Sequence, residues 1–270
     1  MAKRDMSSLQ LRIISACILA PLALGALFLG GLYFTIFMGL AAAAMGFEWC
    51  NNSLSDRRPL FMVVMIGFVS AAVYLEYAEQ ILPSILVLVC GSVFLAALAA
   101  LFRQPKDIVW AFLGPLLTGL PVVSLIALRG LADIGFAVTT GLFLVIWATD
   151  IGAYFSGKSI GGPKIAPVIS PNKTWAGLIG GMVAAAIVAY LESQFLIEGV
   201  GSPIVIMTLG GLCAILAQVG DFTESAWKRH FKIKDASNLI PGHGGVLDRL
   251  DGILFTAPVL LALLLLMERN

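Results

Sequence analysis

Residues 203–220 read PIVIMTLGGLCAILAQVG, an apolar run without a charged side chain, and Asp221 ends it. A helix that crosses a membrane needs roughly 20 predominantly apolar residues, so this run has close to the required length. The block that follows, DFTESAWKRHFKIKDASNLIPGHGGVLDRLD (221–251), is rich in charge and glycine, and another apolar run begins after it. The same alternation of apolar runs and polar segments recurs along the chain, so it indicates the fold class.

The composition supports the same interpretation. Apolar residues make up 59% of the 270 residues and charged residues only 12%, and the mean hydropathy is +0.96. A soluble domain of this length is far less hydrophobic. The sequence therefore predicts an all-α, polytopic integral membrane protein with about nine transmembrane helices. The predicted runs lie at about 13–30, 32–47, 60–75, 81–102, 109–128, 134–151, 175–191, 203–220 and 252–267.

The basic residues predict the orientation in the membrane. If the nine runs are spans that start on the cytoplasmic side, 15 of the 17 Lys and Arg fall in cytoplasmic segments, and only Arg129 and Arg269 fall opposite. The positive-inside rule describes this asymmetry. It places the N-terminus and two long polar loops, about 152–174 and 221–251, on the cytoplasmic side. A polar site built from these loops would therefore face the cytoplasm.

The polar block contains charged, hydroxyl and glycine residues at fixed spacings. They are Ser225, Lys228, Arg229, Lys234, Asp235, Pro241, His243, Gly244, Gly245, Asp248, Arg249 and Asp251. This pattern resembles the signature of the phosphatidate cytidylyltransferases (CDP-diacylglycerol synthases): Ser, two residues, Lys-Arg, four residues, Lys-Asp, then Pro-x-His-Gly-Gly-x-x-Asp-Arg-x-Asp. Trp227 departs from the family, which usually has an aliphatic residue or Phe there.

The loop at 152–174 also resembles this family. Relatives carry an Asp-x-x-Ala-Tyr stretch followed by Ser-Pro-x-Lys-Thr. The matching residues here are Asp150, Ala153, Tyr154, Ser170, Pro171, Lys173 and Thr174. Glycines and prolines between 157 and 167 exclude a single regular helix through this segment. They predict a loop that folds over another part of the protein or over a ligand.

Helical spacing predicts which side chains of the polar block lie together. If the helix continues past the membrane surface, Ser225 and Lys228 follow Asp221 on one face. Asp248 and Asp251 are three residues apart and are predicted to open the last helix on a shared face. Carboxylates brought together repel each other unless a cation lies between them.

The donor chemistry favours Mg²⁺ over zinc. The four cysteines are scattered without a C-x-x-C pair, and the chain has only two histidines. Mg²⁺ prefers carboxylate oxygens and joins one or two carboxylates to substrate phosphates. Asp221 and Asp248 are therefore the predicted metal ligands, and a second cation is left open.

Basic and glycine residues form the predicted substrate site. Arg neutralises phosphate through a bidentate fork and Lys as a point charge, and glycines let backbone amides approach an anion. The predicted substrate-binding residues are Lys173, Lys228, Arg229, His243, Gly244, Gly245 and Arg249. The predicted catalytic residues are Lys173, Ser225, Lys228, Arg229, Arg249, Asp251 and Asp150. For His243, a structural hydrogen bond inside a tight glycine turn is an equally open interpretation.

The resemblance implies a reaction. CTP and phosphatidic acid in the membrane would be the substrates, and CDP-diacylglycerol and pyrophosphate the products of this step of phospholipid biosynthesis. The resemblance also implies a homodimer. The short loops and the absence of a targeting segment predict a bacterial inner membrane location, and no nucleic-acid partner is expected. Residues 134–270 are the predicted catalytic region, and residues 1–133 are predicted to be scaffold helices for lipid access or oligomer contact.

Two other functions stay open at this point. A CTP-dependent polyprenol or phytol kinase resembles this group in its C-terminal region and would release CDP. A cation-coupled transporter would use Asp150, Asp221 and Asp248 as an ion path. The transporter would need these charges at the bilayer midplane, whereas the sequence groups them at the cytoplasmic edge.

Overall fold

The chain is built almost entirely of helices, as its computed structural model shows for residues 8–55, 58–195 and 202–268. The N-terminus and Arg269, which enter the predicted orientation, lie outside these residues. The helices are α1 (Ser8–Leu29), α2 (Gly31–Ser53), α3 (Arg58–Tyr77), α4 (Ile81–Leu101), α5 (Ile108–Gly130), α6 (Gly135–Ser159), α7 (Trp175–Phe195), α8 (Pro203–His230), α9 (Leu247–Leu250) and α10 (Ile253–Glu268).

Eight of the helices in the described ranges, α1 to α8, are long and apolar enough to cross a membrane. The ninth predicted run forms α10, which is apolar but shorter. The prediction of an all-α polytopic membrane protein is thus confirmed.

One short antiparallel hairpin interrupts the helical pattern. Strand β1 (Lys164–Ala166) pairs with β2 (Ser170–Thr174), with Lys164 opposite Thr174 and Ala166 opposite Ser170. The loop predicted at 152–174 begins later than expected, because α6 continues to Ser159. Helix α8 likewise continues ten residues past its apolar run, to His230. Polar residues extend both helices. The extension of α8 is the one on which the predicted shared face of Asp221 and Ser225 depends, whereas the extension of α6 was not expected.

The prediction that Asp248 and Asp251 open one helix is wrong. Asp248 lies in the single turn of α9, whereas α10 begins at Ile253. Asp251 is in the intervening turn, where its Oδ1 accepts a hydrogen bond from the Gly252 amide at 2.8 Å. Helix α9 thus ends between the two carboxylates.

The chain divides into two compact units. The first unit comprises Met1–Ile126 and Phe231–Leu250, and the second comprises Ala127–His230 and Asp251–Asn270. The polar segment 231–250 thus groups with the N-terminal helices. The functional division at residues 133 and 134 stays a prediction.

Close helix contacts in the second unit depend on small residues. A Cβ atom on Gly152 of α6 would lie 2.7 Å from the Gly180 carbonyl oxygen of α7, and one on Gly181 would lie 2.9 Å from the Thr149 carbonyl oxygen. Small residues let helix backbones approach closely inside membranes. This packing fixes α6 against α7 and supports the hairpin that joins them.

Candidate active site

The structure assigns each predicted site residue to an element. Asp150 lies in α6 and Lys173 in β2, and Asp221, Ser225, Lys228 and Arg229 lie in α8. His243, Gly244 and Gly245 lie in the loop before α9, Asp248 and Arg249 in α9, and Asp251 in the turn before α10.

In the second unit, the hairpin brings Lys173 onto Asp221. The Lys173 ammonium forms an ion pair with Asp221 Oδ2 and donates a hydrogen bond to Gln218 Oε1 at 3.0 Å. It also lies 5.2 Å from the centroid of the Phe222 ring, a separation typical of cation–π contacts. Three neighbouring residues of α8 thus hold one ammonium group from a different element.

Ser225 completes the surroundings of Asp221. Its hydroxyl donates to Asp221 Oδ1 at 3.2 Å, which confirms that the two residues share a face of α8. Both oxygens of Asp221 therefore have a polar partner within the second unit.

Lys228 and Arg229 have other partners one turn further along α8. Lys228 pairs with Glu224 Oε2 at 2.5 Å, and the Glu224 side chain is 2% exposed. The Arg229 Nε donates to the Ile169 carbonyl oxygen at 3.4 Å, so this arginine contacts the turn of the hairpin. Substrate binding by the two residues stays a prediction.

Asp251 lies close enough to the same cluster for the charges of that cluster to shift its pKa. Burial is the largest cause that raises the pKa of Asp251, and the charges of Asp221 and Asp150 act in the same direction. The Gly252 amide and Lys173 oppose the rise, and the pKa that results is about 7. Three carboxylates and one ammonium therefore influence each other within the second unit. The negative charge exceeds the positive charge, and the carboxylates would gain from an added cation.

The residues of this cluster fit a magnesium ion by their chemistry. The described residues contain no group of three or more His, Cys, Asp or Glu placed to hold a metal ion by themselves. Mg²⁺ does not need such a cage, because it usually binds through one or two carboxylates, waters and substrate phosphates. Asp221 provides the carboxylate, and Lys173 provides a neighbouring phosphate partner.

In the first unit, a buried carboxylate organises the loop that carries His243, Gly244 and Gly245. Glu48 of α2 is fully buried. It accepts hydrogen bonds from the Ser237 hydroxyl at 2.6 Å and from the Val246 and Leu247 amides at 2.8 Å each. Burial of a carboxylate is costly unless it is hydrogen-bonded, and the loop supplies these bonds.

Asp248 closes the same loop upon itself. Its Oδ2 accepts hydrogen bonds from the amides of Ala236 at 2.9 Å and Gly245 at 2.8 Å. Asn52 of α2 donates to the Ala236 carbonyl at 2.7 Å. Asp248 is thus part of the loop's internal hydrogen bonding. Its predicted partner in metal binding, Asp221, belongs to the other unit.

Helix α1 holds the tip of this loop. Ser15 Oγ lies 2.8 Å from His243 Nδ1 and donates to the Pro241 carbonyl at 3.0 Å. The Arg12 Nε donates to the Gly242 carbonyl at 3.0 Å. Gly242 and Gly244 both have positive φ, a conformation that glycine adopts without strain. The open interpretation of His243 as a structural residue in a glycine turn agrees with this geometry, and substrate binding by His243, Gly244 and Gly245 stays a prediction.

Sequence reasoning missed Glu48, Asn52, Ser15 and Gln218. One signal was present, because Arg12 and Glu48 are the only charged residues between positions 8 and 54. An ionisable side chain in an apolar segment indicates a polar partner.

Gly220 of α8 offers a test of how closely Asp251 is positioned. A Cβ atom on Gly220 would lie 2.1 Å from the Asp251 carbonyl oxygen. This clash is with the backbone, which cannot move aside as easily as a flexible side chain. We expect Gly220→Ala to lower stability by about 1–3 kcal/mol and catalytic turnover by roughly 10²-fold. The measurement is thermal unfolding and turnover of purified protein.

The matched control for Gly220→Ala is Gly211→Ala in the same helix. A Cβ atom at Gly211 would have no atom within 4 Å, so this variant should be unchanged or about 1 kcal/mol more stable. Equal behaviour of the two variants would contradict the close approach at Asp251.

The chain matches known proteins over nearly its whole length. A profile of the cytidylyltransferase family matches residues 10–267. A phosphatidate cytidylyltransferase of Brucella suis biovar 1 (strain 1330) is 38% identical over 258 residues, which cover 94% of this chain and 93% of the relative. One of Pseudomonas aeruginosa is 34% identical over 270 residues, covering 95% and 97%. One of Bacillus subtilis (strain 168) is 44% identical over 142 residues, covering 52% of each chain. With its polar cluster on α8 and these matches along the chain, the protein belongs to the cytidylyltransferase family.

Proposed function

We propose that this chain is a phosphatidate cytidylyltransferase, a nucleotidyltransferase of phospholipid biosynthesis. A phosphate oxygen of phosphatidic acid attacks the α-phosphorus of CTP, the bond between this phosphorus and the bridging oxygen to the β-phosphate breaks, and pyrophosphate leaves. The products are CDP-diacylglycerol and pyrophosphate. The observation that carries the proposal is the Lys173–Asp221 pair, a phosphate partner and a carboxylate held together in a chain of this family.

The residues of the second unit have separable tasks in this proposal. Lys173 neutralises charge on the reacting phosphates, and Gln218 and Phe222 keep its ammonium group in the site. Positioned positive charge of this kind lowers the barrier to phosphoryl transfer. The phosphate of the lipid is already a nucleophile, so the reaction needs no Ser-His or Cys-His pair from the protein.

A magnesium ion belongs to the proposal. Asp221 and Asp248 remain its proposed ligands, and Asp150 and Asp251 add negative charge in the second unit. When bound, Mg²⁺ supplies charge neutralisation to the triphosphate and the leaving pyrophosphate. Lys228, Arg229 and Arg249 are proposed to bind the remaining phosphate oxygens.

The test is product formation by detergent-purified protein. We expect phosphatidic acid and labelled CTP to yield CDP-diacylglycerol and pyrophosphate. Chelation of Mg²⁺ should lower the rate at least several-fold, and excess Mg²⁺ should restore it. Release of CDP with a phosphorylated lipid alcohol would establish the lipid kinase instead. Cation flux without any nucleotide product would establish the transporter.

The location follows from the same proposal. The chain is an integral membrane protein with several apolar helices, and we propose the bacterial inner membrane with the N-terminus and the site on the cytoplasmic side. The proposed assembly is a homodimer.

A further inference from the structure

The hairpin that carries Lys173 ends in an exposed apolar turn. The Ile169 amide donates to the Ala166 carbonyl at 3.1 Å, which closes a four-residue turn with Pro167 and Val168 at its centre. Proline suits the first central position of such a turn. Val168 is 90% exposed, although turns in water favour Gly, Asn, Asp or Ser beside the proline.

Other exposed apolar side chains surround the base of the hairpin. Tyr154, Phe155 and Ile160 near the end of α6 are exposed, and so is Trp175 at the start of α7. The Trp175 amide donates to the Pro163 carbonyl at 3.1 Å, which ties the base of the hairpin to α7. Tyr and Trp are enriched where membrane helices meet the headgroup region. The exposed Tyr154 and Trp175 at the base of the hairpin match this preference.

The charged residues of the sequence stretch that contains the hairpin are all basic. Between Asp150 and Glu192 the sequence contains Lys158, Lys164 and Lys173 but no Asp or Glu. Lys158 and Lys164 are exposed, and the Lys158 ammonium lies 5.5 Å from the centroid of the Tyr154 ring. Basic residues next to apolar ones bind the surface of an anionic bilayer.

We propose that the Pro167–Val168 turn inserts into the interface of an anionic phospholipid bilayer and so anchors the strand that presents Lys173. The partner is the bilayer surface itself, because Val168 supplies apolar contact and Lys158 and Lys164 supply complementary charge. In the proposed function this surface holds the phosphatidic acid, so the inference rests on that function for its catalytic meaning. The membrane contact at the turn and the ion pair of Lys173 with Asp221 lie at opposite ends of one short strand.

Photo-crosslinking tests the contact directly. The full chain, with benzoylphenylalanine in place of Val168, is placed in phosphatidylcholine vesicles that contain phosphatidic acid as the minor component. Illumination should yield protein–lipid adducts by mass spectrometry. The matched control carries the same group in place of Asn172, an exposed residue of β2 away from the turn, and should yield far fewer. An equal or lower yield at position 168 would overturn the proposal.

Kinetics test the catalytic consequence. Val168→Asp should raise the surface fraction of phosphatidic acid needed for half-maximal rate about fivefold, the effect of one charge near an anionic surface, with the KM for CTP unchanged. Val168→Leu should behave like the unaltered protein. A Val168→Asp variant with unaltered lipid dependence would overturn the anchoring role. If the unaltered protein forms no CDP-lipid, the proposed function fails, and the crosslinking result alone decides the membrane contact.

Discussion

Replacing Asp221 with asparagine should lower turnover by about 10³-fold while leaving a folded protein in the membrane. The amide keeps an acceptor for Ser225 but loses the charge that pairs with Lys173. It also removes a carboxylate that Mg²⁺ prefers to a neutral oxygen. The side chains of Lys173 and Asp221 are 21% and 28% exposed, so water compensates part of the lost pairing. The measurement is kcat with CTP and phosphatidic acid, together with the thermal unfolding midpoint.

Asp133→Asn is the matched control for Asp221→Asn. Asp133 is exposed in the second unit and has a φ of 60°, a conformation that asparagine tolerates well. The control should keep full turnover. Turnover of Asp221→Asn within tenfold of the unaltered protein would contradict the role of Asp221.

A double variant, Asp221→Asn with Lys173→Met, tests whether the two residues act as a unit or independently. Residues that act as a unit show strongly non-additive effects. We expect the double variant to lose no more than about 10-fold beyond Asp221→Asn alone. Additive losses would mean that the two residues act independently.

Replacing Glu48 with alanine should have the largest effect on stability, a loss of roughly 3–5 kcal/mol. The Ser237 hydroxyl and the Val246 and Leu247 amides would each lose their acceptor inside the first unit. Glu48→Gln should be milder, because one oxygen remains, but its amide group would face an N–H donor. The measurements are the thermal unfolding midpoint and the rate of limited proteolysis within residues 231–246.

Glu79→Gln is the control for Glu48→Gln. Glu79 is exposed in the first unit, so its loss of charge should leave unfolding and proteolysis unchanged. If the loop in the Glu48 variants is as resistant to protease as in the unaltered protein, the hydrogen bonds of Glu48 do not stabilise the loop.

The membrane-spanning framework could be predicted from the sequence because apolar run length has a direct physical meaning. The pairing of Ser225 with Asp221 followed from helical periodicity. The contact of Lys173 with Asp221 did not, because it depends on a hairpin whose path over 160–174 no periodicity describes. The Asp248 and Asp251 prediction failed for a similar reason: α9 ends at Leu250, between two residues whose spacing fits one helix.

The hydrogen bonds of the loop around His243 could not be predicted from the sequence motif. Its glycines predicted backbone amides available to an anion, but the Gly245 amide donates to Asp248 and the next two amides donate to Glu48. Nothing in the spacing of the motif indicates that a residue in α2 supplies the acceptor. Long-range pairing of this kind requires the tertiary structure.

The dependence of this loop on Glu48 has a consequence for biogenesis. Glu48 is separated from its partners Ser237 and Leu247 by 189 and 199 residues. At synthesis rates of about 5–20 residues per second, the carboxylate waits roughly 10–40 s for them after it leaves the ribosome. During that interval it has none of these three donors. A nascent chain arrested before residue 237 would leave this carboxylate without all three donors, so the hydrogen bonding of Glu48 is completed only after the loop has been synthesised.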